Sequence, residues 1–135
     1  AKILCGGKRP SGFNKGYFYE PTVFDNVKDN FKIMTEEPFG PLTPLLTFEN
    51  FDEVIKKANN QVAGLAGYVC TNSIELANKT SEALETGMVA VNTPFISNAE
   101  TPFGGIKQSG YGREGGSLGI KDYLNVKYTH LGLSG

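Results

Sequence analysis

Glu36 and Glu37 sit against an aromatic ring within Met34–Pro41, "MTEEPFGP". Neighbouring carboxylates can act as an acid/base pair, but the flanking residues suggest a different use. Pro38 biases Glu37 toward extended backbone angles, and Gly40-Pro41 restricts the exit, so the segment is stiff. A stiff backbone carrying a carboxylate beside a ring suits the holding of a sugar. The carboxylate can accept two hydroxyl hydrogen bonds while Phe39 covers an apolar ring face. The residue types alone leave room for a plainer arrangement, a tight turn with Phe39 in the core and both glutamates in water.

Other chemistry-bearing residues carry weaker patterns. His130 is the single histidine, and no Ser or Cys stands in a recognisable nucleophile turn, which argues against a triad. Cys5 precedes a glycine turn, "GGKRP", and reads as a packed or exposed turn residue. Cys70 ends an apolar run and reads as a small core hydrophobe. Their separation excludes C-x-x-C or Cys/His metal spacing, so no metal site is expected and the thiols are expected reduced.

Two glycine motifs are decoys. "GYGREG", Gly110 to Gly115, has the G-x-G-x-x-G spacing of a dinucleotide loop. Pro102 and a glycine-rich loop stand where a strand should precede it, and the sequence nearly ends before the acid about 20 residues on could appear. "GGIKQS" resembles a damaged phosphate loop, with Ile106 between Gly105 and Lys107 and Gln108 in the place of the Ser.

The elements that must position these residues follow from period. "PLTPLLTF" is an apolar run fit for a buried strand. "ENFDEVIKKANN" places Phe51, Val54, Ile55 and Ala58 at helical spacing, with Asn50 as N-cap, Glu53 three residues on and Lys56 and Lys57 later. "LAGYVC" predicts a strand, "TNSIELANKTSEALETG" a helix begun by Asn72 or Ser73 and ended at Gly87, and "MVAVN" a second strand. Such a β-α-β unit makes the strands parallel and buries them on both faces, so the fold class is α/β. Near the end, Leu124, Val126 and Tyr128 alternate with Asn125, Lys127 and Thr129, which predicts a half-exposed strand. Its edge would pair with another chain or domain, or stand alone blunted by Lys127.

Composition bounds the partners. The 135 residues are 39% hydrophobic and 20% charged with net charge -1 at pH 7, which suits one small domain. No basic patch argues for nucleic acid or an anionic membrane, and no apolar stretch reaches the roughly 18 residues of a membrane span. A small molecule is the expected partner and the cytoplasm the expected compartment. The chain begins at Ala rather than Met and is expected to be a piece of something longer.

Several motifs in order then carry a resemblance: "MTEEPFGPLTPLLTF", "GLAGYV", "VNTPFISNAETPFGGIKQSGYGRE" and "GIKDYLNVKY". Together they resemble the C-terminal part of the NAD(P)-dependent aldehyde dehydrogenase superfamily. The "ISN" before "PFGG" and the ending "GIKDYLNVKY" look most like succinate-semialdehyde dehydrogenases. The resemblance implies an α/β fold that is part of an open, mainly parallel sheet layered with helices. Residues 1–121 would then belong to the catalytic domain, including the PFGG loop, and 122–135 would form a terminal oligomerisation strand. It makes Glu37 the glutamate that holds the nicotinamide-ribose hydroxyls and Phe39 the aromatic beside that ribose and nicotinamide, with NAD or NADP as co-substrate. It makes Ser97 a donor to the distal carboxylate of the substrate and places Phe95 near the same pocket. The PFGG stretch looks structural in this family, with Arg113 and Glu114 ion-paired rather than catalytic. The family's catalytic cysteine and general base lie upstream of these residues, so the resemblance implies no catalytic residue here, and an inactive fragment of an oligomeric enzyme that oxidises succinate semialdehyde. The alternatives are a parent acting more broadly on aldehydes or hydroxyaldehydes, and a non-catalytic assembly module pairing through the terminal strand.

Overall fold

The computed structural model describes residues 1–133 and 135. It divides into two compact units, Ala1–Glu53 and Val54–Gly135.

In the first unit, β1 (Lys2–Cys5) runs antiparallel to β2 (Thr22–Asp25), and β2 runs parallel to β3 (Leu42–Pro44). The β1–β2 register slips between Ile3 and Cys5, leaving a bulge. Thr22, only 1% exposed, fixes the loop between these strands. Its Oγ1 accepts from the Gly7 N–H at 2.7 Å and donates to the Glu20 carbonyl at 2.7 Å. Gly6 beside it has φ +72°, and a Cβ there would lie 2.2 Å from the Pro21 carbonyl oxygen, so only glycine fits. The strand expected from "PLTPLLTF" is real but short. None of its residues is fully buried, and Pro44, which has no N–H to give a ladder, ends it.

Helix α1 (Phe51–Asn59) begins as its cap pattern predicts. The Glu53 N–H donates to Asn50 Oδ1 at 3.0 Å, while the Glu53 carboxylate reaches back to the Glu49 N–H at 2.8 Å. Of its apolar stripe, Phe51, Val54 and Ile55 are half-buried and Ala58 is exposed.

The second unit contains the expected β-α-β order. β5 (Ala66–Val69) and β6 (Met88–Val91) pair in parallel, Ala66 opposite Met88 through Val69 opposite Val91, joined by α2 (Ile74–Ala83). Ser73 caps α2, its Oγ accepting from the Leu76 N–H at 3.2 Å. The helix stops four residues before Gly87, and Asn59 is the reason. The Asn59 amide donates to the Ala83 carbonyl and accepts from the Glu85 N–H, both at 2.8 Å, which satisfies backbone groups a continuing helix would have used. Gly87 instead permits close approach, since a Cβ on it would lie 2.0 Å from the Gly104 carbonyl oxygen. The strands are not buried on both faces: Met88 and Ala90 are buried, while Val89 and Val91 are half-buried and Tyr68 is exposed.

A second, antiparallel pair joins β4 (Ala63–Gly64) to β7 (Ile106–Lys107). The fold is therefore α/β, with small mixed sheets and helices. After the single turn of α3 (Gly116–Gly119) and a 3-10 turn at Ile120–Tyr123, Leu124 is extended at φ -113°, ψ 139°. No strand forms over 124–133, and both the apolar residues and the polar ones between them are exposed. The alternating pattern predicts a half-exposed strand; a strand needs a ladder partner for its backbone groups, and no described residue of this chain supplies one.

Candidate functional site

The segment around Glu37 is a chain of tight turns. The Gly40 N–H donates to the Pro38 carbonyl at 2.9 Å and the Leu42 N–H to the Gly40 carbonyl at 2.8 Å, giving two successive γ-turns centred on Phe39 and Pro41. The Pro41 carbonyl then accepts from the Thr22 N–H at 2.8 Å, tying the exit to β2. Upstream, the 3-10 turn Lys32–Met34 closes through Thr35 and Glu36 N–H bonds to the Lys32 carbonyl at 3.0 and 2.8 Å.

This backbone separates the two glutamates. Glu36 forms an ion pair with Lys32 at 3.2 Å, one helical turn back. Among the described residues no hydrogen bond or ion pair engages Glu37. Phe39 is 95% exposed, so the plainer arrangement with this ring in the core does not hold. Glu37 and Phe39 thus present a free carboxylate and an open ring face on adjacent turns.

Phe95 and Ser97 lie in the second unit, on the loop that leaves the carboxyl end of β6. Asn92, at the mouth of that loop, has φ 56° and grips Thr71 at two points, its Oδ1 accepting from the Thr71 N–H at 2.9 Å and its Nδ2 donating to the Thr71 carbonyl at 2.8 Å. The Phe95 N–H donates to Thr93 Oγ1 at 3.1 Å. Phe95 is 85% exposed, Ile96 half-buried and Ser97 exposed, so burial alternates and the two outer side chains open to solvent. No described residue hydrogen-bonds the Ser97 hydroxyl. The local backbone is satisfied by its neighbour: Asn98 Oδ1 accepts from the Glu100 N–H, the Thr101 N–H and the Thr101 hydroxyl at 3.0, 3.0 and 3.1 Å. The role of Asn98 was not read from the sequence, although an Asn in a loop is an Asx-turn signal, its side chain accepting from backbone two residues on.

The glycine-rich segment that follows is built as a scaffold. Phe103 and Glu114 exchange two backbone hydrogen bonds at 2.7 Å. Arg113 Nη1 donates to the Gly105 and Gly112 carbonyls at 2.8 and 2.7 Å, so this side chain braces the loop through backbone oxygens rather than through the expected ion pair. Lys107, the lysine of the damaged phosphate motif, bonds the Asn59 carbonyl at 2.8 Å and the Glu85 carboxylate at 2.6 Å. The G-x-G-x-x-G stretch has no long strand before it and only the single turn of α3 after it. A cleft of about 450 Å³ runs along this scaffold, lined in part by Phe103, Tyr111, Arg113, Asp122 and Tyr123.

The cysteines take no part in either cluster. Both are free and exposed, which corrects the reading of Cys70 as a core residue: it lies one position beyond β5, where the strand no longer covers it. Among the described residues no group of three or more His, Cys, Asp or Glu could hold a metal ion, and no helix is long and apolar enough to cross a membrane.

Comparison with known proteins identifies the family. The pattern of the aldehyde dehydrogenase family matches residues 1–129. A mitochondrial succinate-semialdehyde dehydrogenase of Arabidopsis thaliana is 50% identical over 133 residues, covering 98% of this chain and 25% of that relative. A 3-sulfolactaldehyde dehydrogenase of Pseudomonas putida is 48% identical over 132 residues, covering 98% of this chain and 27% of that relative. Among solved structures, an NADP-dependent enzyme of E. coli superposes with a TM-score of 0.92 at 45% identity, over 98% of this chain and 27% of that one. The chain spans about a quarter of the length of the relatives it matches.

Proposed function

The chain belongs to the aldehyde dehydrogenase family, and on that premise we propose that it is part of an NAD(P)-dependent enzyme that oxidises succinate semialdehyde to succinate. The observation that carries this reading is the contrast at the first site. Glu36 is held by Lys32, whereas Glu37 keeps its carboxylate free beside an open Phe39 ring on a doubly turned backbone. A free carboxylate fits the paired hydroxyls of a ribose, and an exposed ring fits the apolar face beside them. Bound there, a nicotinamide dinucleotide would supply the hydride acceptor. Glu37 would fix the ribose and Phe39 would limit the swing of the ring, which sets the orientation that hydride transfer requires.

In the second unit, Ser97 would donate its hydroxyl to the distal carboxylate of the substrate, and Phe95 would flank the carbon chain. The names of the Arabidopsis relative and of the E. coli NADP-dependent structure favour this substrate and this class of coenzyme. The nucleophilic thiolate and the general base belong, in this reading, to the parent outside residues 1–135, so these residues alone turn nothing over. Residues 1–121 would complete its catalytic domain. The segment 122–135, whose described residues are exposed, would pair with a second copy. The two free thiols favour a reducing compartment, the cytoplasm in our reading. The 3-sulfolactaldehyde dehydrogenase relative favours a second reading, a parent acting on other aldehydes or hydroxyaldehydes.

Reduction of NAD+ and of NADP+ with succinate semialdehyde, followed for the full-length parent and for residues 1–135, tests the proposal. Turnover by the parent alone is expected. Turnover by the 135 residues would overturn it and return attention to Cys5 and Cys70.

A further inference from the structure

The Ser97 hydroxyl is open because other residues hold its loop. An exposed loop serine ordinarily turns its hydroxyl onto nearby backbone. Here that demand is met by Asn98, whose single Oδ1 collects three donors from Glu100 and Thr101. Within the turn so formed, the Ala99 carbonyl accepts from the Gly116 N–H at 3.1 Å, which pins it to the start of α3. At the other end, Asn92 sits at φ 56°, a conformation uncommon outside glycine and easiest for asparagine, and its two bonds to Thr71 hold it there. The segment that carries Phe95 and Ser97 is therefore fixed at both ends by asparagine side chains and free in the middle.

From this arrangement we infer that Asn98 is a positioning residue for recognition of the substrate's carboxylate: it acts through Ser97, by satisfying the loop backbone so that the serine hydroxyl stays available and aimed. The inference rests on the reading of Ser97 as a carboxylate donor. A hydroxyl already committed to backbone, or free to wander, loses a hydrogen bond to a charged group, which corresponds to about a tenfold loss of affinity.

The test is steady-state kinetics of the full-length parent with succinate semialdehyde and with butyraldehyde, which has the same carbon chain without the carboxylate. Asn98→Ala is expected to raise KM for succinate semialdehyde about tenfold while leaving kcat, and KM for butyraldehyde, within about twofold. Asn98→Ser keeps an acceptor oxygen without adding charge and is expected to restore the KM in part. In a Ser97→Ala background, Asn98→Ala is expected to add nothing further, since both changes remove one interaction. Thr101→Val removes only the hydroxyl donor and is expected to give a smaller shift in the same direction, and it keeps the test open if Asn98→Ala does not fold. If Ser97→Ala raises KM and both Asn98→Ala and Thr101→Val leave it unchanged, or if the two substrates suffer equally, the positioning role is overturned and the serine reading stands. If Ser97→Ala is itself silent, the serine reading falls and the inference falls with it.

Discussion

The Glu36 carboxylate lies 3.2 Å from the Lys32 ammonium, and the glutamate next to it has no such partner among the described residues. Adjacent residues of one type are thereby given different work by a single turn of 3-10 helix. The ion pair is exposed, 80% at Lys32 and 65% at Glu36, so it contributes little stability, yet it decides which carboxylate is left unpaired. Glu37→Gln in the full-length parent is expected to raise KM for the coenzyme by about tenfold or more, the worth of a hydrogen bond to a charged group. Glu36→Gln is expected to leave it within about twofold. Initial rates against coenzyme concentration distinguish them; equal effects would remove the clamp assignment.

Phe39 offers a separate measurement, because an exposed ring makes no core contribution to lose. Phe39→Ala is expected to leave the thermal midpoint of the parent nearly unchanged while lowering kcat about tenfold, through looser orientation of the nicotinamide. A large fall in thermal midpoint with unchanged kcat would make the ring structural.

The Asn59 amide bridges the Ala83 carbonyl and the Glu85 N–H, both at 2.8 Å, and so closes the end of α2. Asn59→Leu keeps the bulk and removes both bonds, and is expected to cost about 2 kcal/mol in urea unfolding of the parent. Protection of the Glu85 amide from hydrogen exchange should fall in the same variant. Unchanged protection would show that the amide is not the cap.

Gly87 tests close packing. A methyl group on it would meet the Gly104 carbonyl oxygen at 2.0 Å, so backbone must move, and Gly87→Ala is expected to cost more than about 3 kcal/mol. Gly132→Ala, which meets nothing within 4 Å, is the matched control and is expected to be silent. Comparable soluble yield and thermal midpoint for the two variants would refute the contact.

Much of this was legible in the residues. The cap of α1, the start of α2 and the parallel order of β5 and β6 depend on contacts within a few positions or on one helical crossover, and side-chain types announce these directly. β1 and β2 were not legible, because a glycine-rich loop rather than a helix joins them and no crossover pattern announces their pairing. The end of α2 was misread for a similar reason: the glycine is a local stop signal, but a distant asparagine supplied the stop.

The sequence by itself determined the α/β order of elements, the stiffness of the Glu37–Pro41 segment and the family, since prolines, glycines and helical spacing act on their own neighbourhood. Only the tertiary structure decided which glutamate is free, that Phe39 and Ser97 face water, and that Arg113 and Lys107 brace backbone. Those outcomes depend on which donors and acceptors remain unsatisfied once the chain has folded, a sum over distant partners that no local pattern contains. The terminal alternation shows the same limit. Its residues set a strand period, but a strand exists only where a second backbone completes the ladder.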